Sequence, residues 1–148
     1  MYMTPEEIRE KFPDAVIARG AEIERGAWIG SDVRIEIGAE IERGAWIGRG
    51  AWIGRGAWIG RGAWIGVNRK GVTHALVING IGTTRRMTAH TSDDGLVIVI
   101  GCLNDYRGET IEQTRKAIAD KYPNDHAYFV ALELAQRWYD QLEYTNTN

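Results

Sequence analysis

The sequence predicts a mainly β protein, in which a solenoid of three coils is followed by a small α+β unit. Three observations carry that prediction. Residues 15 to 68 divide into nine hexads, AVIARG, AEIERG, AWIGSD, VRIEIG, AEIERG, AWIGRG, AWIGRG, AWIGRG and AWIGVN, with Ile in the third place of each. Ala or Val holds the first place throughout, from Ala15 to Ala63. After residue 68 the six-residue period stops, and short strand-like and helix-like patterns replace it.

A period of six fits neither an amphipathic helix nor a simple alternating strand. It fits one short strand and one corner per hexad, a unit that must stack on its neighbours to bury its apolar side. Three hexads close one coil, so each residue lies over the one eighteen positions further on. Ile and the small first residue point inward, where a β-branched side chain suits a buried strand. The recurring Gly suits the corner, where a positive φ is often needed. Coils stack at roughly 4.8 Å, so the prism is only about 14 Å tall. A stub of that height has two open ends and needs caps or partners.

The segment Ile47-Gly48-Arg49-Gly50-Ala51-Trp52 follows a known frame: an aliphatic residue, a small or acidic one, two free positions, a small residue and a further free position. In this the chain resembles the hexapeptide-repeat superfamily over about a third of its length. The resemblance implies a left-handed parallel β-helix. It also implies a homotrimer with its prisms side by side.

Residues 1 to 14 read as a capping helix. Thr4 can accept from the orphan amides, Pro5 is tolerated at the first helical position, and Glu6 and Glu7 complement the dipole. The helix is expected to run to about Phe12, before Pro13, with Ile8 and Phe12 on one face as a lid over the first coil. The three faces of the prism (residues 15 to 68) then differ. One carries Trp28, Trp46 and Trp64 in a column. A second carries Glu22, Glu40 and Trp58, with Glu24 and Glu42 beside the column Arg25, Arg43 and Arg61. The third carries Val16, Arg34 and Trp52. The charges of the second face read as a solvated ion-pair ladder, which contributes little to stability.

Residues 69 to 148 form the second unit, with Val67 to Gly71 as a polar hinge before it. His74 to Ile78 reads as a strand ended by the turn signal Asn79-Gly80. Arg85 to Thr91 and Leu96 to Ile100 read as strands on either side of the turn Asp93-Asp94-Gly95. Thr110 caps a helix to about Tyr122, and Asn124 or Asp125 caps a last helix to about Glu143, leaving a frayed polar tail. This β-β-β-α-α pattern is similar to small C-terminal domains on some short hexapeptide-repeat proteins of bacteriophages. The similarity rests on Thr91 to Leu96, then Ile100-Gly101-Cys102 and the capping Thr110. It implies no active site.

Composition narrows the function. A net charge of −2 gives no electrostatic case for nucleic acid or an anionic membrane. The single cysteine, Cys102, excludes an internal disulfide framework and fits a reducing compartment. The N-terminus is acidic, without the apolar core of a signal peptide, so a cytoplasmic location is expected.

The residues offer candidates for several chemistries. The superfamily resemblance implies CoA-dependent acyl transfer with a His as general base, yet no His lies within the hexads; His74 and His90 follow them. The three-His metal site of the carbonic-anhydrase-like relatives has no counterpart, and no metal or cofactor is expected. Cys102 with His90 is a candidate nucleophile pair, with a packed small hydrophobe as the simpler reading of the cysteine. Thr83, Thr84, Arg85 and Arg86, behind Gly80-Ile81-Gly82, are a candidate anion-binding loop, although no helix follows as a P-loop requires. His126 reads as a surface or capping residue.

The outward tryptophans resist a bland explanation. Trp28, Trp46, Trp52, Trp58 and Trp64 would present on the order of 1,000 Å² of aromatic surface. A soluble monomer rarely leaves a contiguous patch of that size open. These residues are therefore the candidate interface or ligand-stacking site. The expected function is a non-enzymatic homotrimeric scaffold or binding protein, a phage or bacterial accessory protein holding a protein partner or a nucleotide-type small molecule at subunit boundaries. The alternatives are a CoA-dependent acyltransferase and an engineered or idealised β-helix assembly. The last is raised by GAWIGR occurring three times in succession, although the irregular first half and the irregular C-terminal unit argue for a natural protein with a recently expanded repeat.

Overall fold

The sixth residue of every hexad turns a corner. In the computed structural model, which describes residues 1–81, 85–100, 103 and 108–147, all nine of these residues have positive φ. Seven are Gly. The other two, Asp32 and Asn68, both sit at φ 59°. Asp and Asn are among the side chains that best tolerate this left-handed region, so the repeat keeps its corner without Gly at two places.

Between the corners lie the strands β1 (Val16–Ile17), β2 (Glu22–Ile23), β3 (Trp28–Ile29), β4 (Arg34–Ile35), β5 (Glu40–Ile41), β6 (Trp46–Ile47), β7 (Trp52–Ile59) and β8 (Trp64–Ile65). They stack in parallel at a register of eighteen residues, with Val16 on Arg34 on Trp52, Glu22 on Glu40 on Trp58, and Trp28 on Trp46 on Trp64. The result is a parallel β-solenoid of about three turns. Strand β7 runs unbroken through a corner and so belongs to two of its faces. From Ile23 to Ile65 the inward isoleucines are at most 4% exposed. Each gains on the order of 2 kcal/mol from that burial.

The helix α1 (Pro5–Lys11) lies over the first coil. Thr4 and Glu7 form a reciprocal capping box at its start. Before it, Met3 donates its amide to the Ile23 carbonyl at 2.7 Å, which satisfies part of the top edge of β2. Met3, Ile8 and Phe12 are buried in the same cluster as the inward isoleucines.

Past the hexads, the sheet continues. Strand β9 (Val72–Ile81) adds in parallel beneath β7, then pairs antiparallel with β10 (Arg85–His90), which pairs antiparallel with β11 (Val97–Val99). Strand β9 serves two cores because its side chains alternate. Ala75 and Val77 pack on the solenoid core, while Leu76 and Ile78 pack on a second core built with α2 (Ile111–Lys121) and α3 (His126–Thr147). Strand β10 alternates likewise. Met87 and Ala89 enter the second core, and Thr88 turns to the solenoid, where its Oγ1 accepts the Trp64 amide at 3.0 Å. One amide on the open lower edge of β8 is thus satisfied by a hydroxyl instead of a strand.

Three local expectations change. Asn79-Gly80 is not a turn: β9 runs through it to Ile81, and the pairing of Arg85 with Ile81 and Arg86 with Asn79 leaves Gly80 as the extra residue of a bulge. Val67 to Gly71 is not a loose hinge, because Asn68 and Arg69 bond back to Arg49 and Trp52 on the coil above. The last helix does not stop at Glu143. It carries through Thr147, since no Gly or Pro interrupts the chain from His126 onward.

Candidate functional site

The tryptophan column owes its geometry to the register. Trp28, Trp46 and Trp64 are Cα partners across β3, β6 and β8, so three identical side chains leave the sheet at the same angle. Their rings stack, with centroids 4.9 Å and 4.6 Å apart and planes inclined by 4° and 24°. Offset stacking of this kind stabilises each pair by roughly 1 kcal/mol beyond area burial. The column leaves one aromatic wall along a whole face, with Trp28 at the top 47% exposed.

Trp52 and Trp58 do not join that wall. They stand on the other two faces, 38% and 55% exposed. Each is fixed by a carboxylate from the coil above: Trp52 Nε1 donates to Glu36 at 2.8 Å and Trp58 Nε1 to Glu42 at 3.0 Å. The Arg34 guanidinium also lies 4.9 Å from the Trp52 ring centroid, a cation–π contact. Of the five predicted residues, three therefore form one continuous surface and two stand apart with polar partners.

The charge ladder of the second face forms only in part. Arg25 turns away from the column to Glu7 of α1, at 2.6 Å. Arg43 reaches Glu24 at 3.8 Å. A hydrogen bond shared with Glu42 holds the Glu24 carboxyl down at about 2, with the Arg43 amide and the N-terminal ammonium acting in the same direction. Glu24 thus joins the chain start to the second coil.

The candidate anion loop falls mostly outside the described residues. Thr83 and Thr84 lie there, and Arg85 is placed only as the first residue of β10. The Arg86 guanidinium is engaged by neutral oxygens, Asn79 Oδ1 at 2.8 Å and the Gly62 carbonyl at 3.1 Å. It ties the second unit to the solenoid. Cys102 also lies outside the described residues, so the nucleophile pair is undescribed. His90 is fully buried, its Nδ1 2.8 Å from the Thr91 carbonyl and its Nε2 without a partner among the described residues. Burial pushes its pKa down to about 4, and the nearby Arg69 guanidinium adds to the shift against the Thr91 bond.

His74 is better placed. It pairs in register with Trp58 on β7 and has Thr73 Oγ1 2.9 Å from its Nδ1. His126 is exposed, at the first residue of α3. No group of three His, Cys, Asp or Glu stands ready for a metal among the described residues, and no described helix is long and apolar enough to cross a membrane.

Sequence reasoning missed Thr88 as the cap of β8 and Arg69 as the neighbour of His90. Both depend on how β10 crosses the end of the prism, and no local pattern announces that. Comparison with known protein families, with characterised proteins and with solved structures returns no match for this chain.

Proposed function

We propose that this chain is a non-enzymatic scaffold or binding protein, a left-handed hexapeptide-repeat solenoid that assembles as a homotrimer through the Trp28, Trp46 and Trp64 face. In this reading it is a cytoplasmic phage or bacterial accessory protein that holds a protein partner or a small nucleotide-like molecule at its subunit boundaries. The observation that carries the reading is the continuous indole wall. Its rings use their flat sides on one another, and their outer edges still face water. Removing that apolar area from water is worth roughly 25 cal/mol per Å².

Replacing Trp28, Trp46 and Trp64 together with Ser is expected to lower the assembly state and, with it, the melting temperature. Sedimentation velocity reads the first and a thermal melt the second. A trimer that survives the triple substitution with unchanged stability overturns this choice of interface. A monomeric wild-type protein does so directly.

One observation favours a second reading, CoA-dependent acyl transfer: His74 sits in register with the exposed Trp58, where a general base could face an aromatic surface. Acetyl-CoA is expected to leave the melting temperature unchanged if the scaffold reading holds. A clear stabilisation that is lost in His74→Ala favours the enzyme.

A further inference from the structure

The lid does not seal the whole top of the prism. The inward isoleucines from Ile23 to Ile65 are closed from solvent, but Ile17 remains only partly buried. Ala15 and Ala21 are also half-open, whereas the first-place residues from Ala27 to Ala63 are at most 2% exposed. The cause is length. A helix of seven residues spans about 10 Å, which is too short to roof all three sides of a coil. What remains is a cleft of about 670 Å³, with Ala15, Ile17 and Ala21 as its floor and Ile8 of α1 and Phe12 just after it as its roof. Sites for small organic ligands fall within roughly 300–1,000 Å³.

The polar part of the lining has one sign. Two guanidiniums, Arg9 and Arg19, stand at the cleft, and among the described residues no Asp or Glu lines it. Arg9 has a 3.6 Å contact with Glu6, both side chains more than two-thirds exposed, so that pair holds it weakly. Arg19 has no ion pair or hydrogen bond among the described residues. An apolar floor beside two available guanidiniums matches a molecule with an apolar body and an anionic head, since Arg binds carboxylates and phosphates in a bidentate manner.

We propose that this cleft binds an anionic amphiphile, its alkyl chain on Ile17 and its head between Arg9 and Arg19. Closure by a second copy is disfavoured by symmetry. A two-fold contact places the patch against its own copy and gathers the four guanidiniums of two Arg9 and two Arg19 into one interface, an accumulation of like charge. The proposal is independent of the tryptophan face, which lies on a different side of the prism.

Calorimetric titration of the full chain with decanoate, decyl phosphate and decanol tests it. The expected result is one site per chain, with an anionic ligand at least about tenfold tighter than decanol. The tighter of the two anions identifies the head as carboxylate or phosphate. Arg9→Gln with Arg19→Gln is expected to remove the preference for the anion while leaving decanol binding unchanged. Ala21→Phe, which fills the floor, is expected to abolish binding of all three. The proposal is overturned if neither anion binds, or if the double Gln variant keeps the preference. It is also overturned if Ala21→Phe dissociates an oligomer, since a second copy then occupies the cleft. The double Gln variant changes only exposed side chains, so it remains informative if Ala21→Phe does not fold.

Discussion

Ile41→Asp is expected to abolish folding. Ile41 is fully buried in the middle coil, in register with Ile23 above and Ile59 below. Every residue of the surrounding buried cluster is apolar, so a carboxylate there meets no cation and no donor. Ionised, it carries the full desolvation cost. Neutralised, it still loses its hydrogen bonds and leaves a misfit in the core. Either way the penalty is several kcal/mol, against a total stability of about 5–15 kcal/mol for a domain of this kind. Ile41→Val, which keeps shape and apolarity, is expected to cost only about 1 kcal/mol. Circular dichroism and a thermal melt distinguish the two. A soluble, cooperatively melting Ile41→Asp protein would show that the isoleucine column is not the core. Ile47→Asp, one hexad further on, is expected to behave in the same way.

The second large effect is acid sensitivity through His90. Its imidazole is fully buried and its folded pKa lies near 4, pushed down first by burial. In the unfolded chain the value is about 6.5. Protons therefore bind the unfolded state more readily. The stabilisation due to a neutral His90 is complete above pH about 6.5 and is lost as the pH falls towards 4. The difference corresponds to about 3 kcal/mol across that window. Urea titrations at several pH values across the window measure it, with His90→Gln as the comparison. The variant is expected to show a shallower decline, because Gln has no proton to gain. Equal slopes in the two proteins would remove His90 as the cause. Glu24 acts in a different window. Its pKa is lowered, so its contribution is present above the usual carboxylate value and is lost only as the pH falls towards about 2.

The legible parts of this protein are those written as periods or as caps. Nine isoleucines six residues apart dictate the stacked strands, and Thr4 and Thr110 open helices where a hydroxyl is followed three residues later by Glu7 and Gln113. The tryptophan column is legible too, because eighteen-residue spacing is a matter of arithmetic. What the sequence does not carry is competition between partners. Arg25 belongs by spacing to an arginine column, yet Glu7 comes within reach once α1 folds across the coil. Asn79-Gly80 is a strong turn signal, yet pairing with β10 holds it in the strand as a bulge. The cleft under α1 is the extreme case. It depends on the length of the lid relative to the width of the coil, and no single residue encodes that ratio.

The pairing of Trp28 with Trp46 and Trp64 sets the unit in which this protein can lengthen. Adding a single hexad would keep every isoleucine inward but rotate everything after it by a third of a turn. The last coil and the unit docked on it would turn together, so Thr88 would still meet Trp64 and His74 would still meet Trp58, but Trp64 would leave the column of Trp28 and Trp46. Three added hexads restore the phase and keep Trp64 in the column. The three successive copies of GAWIGR, residues 44 to 61, amount to one full coil. A duplication of that size lengthens the aromatic wall by one ring and passes unnoticed by the unit docked at its end.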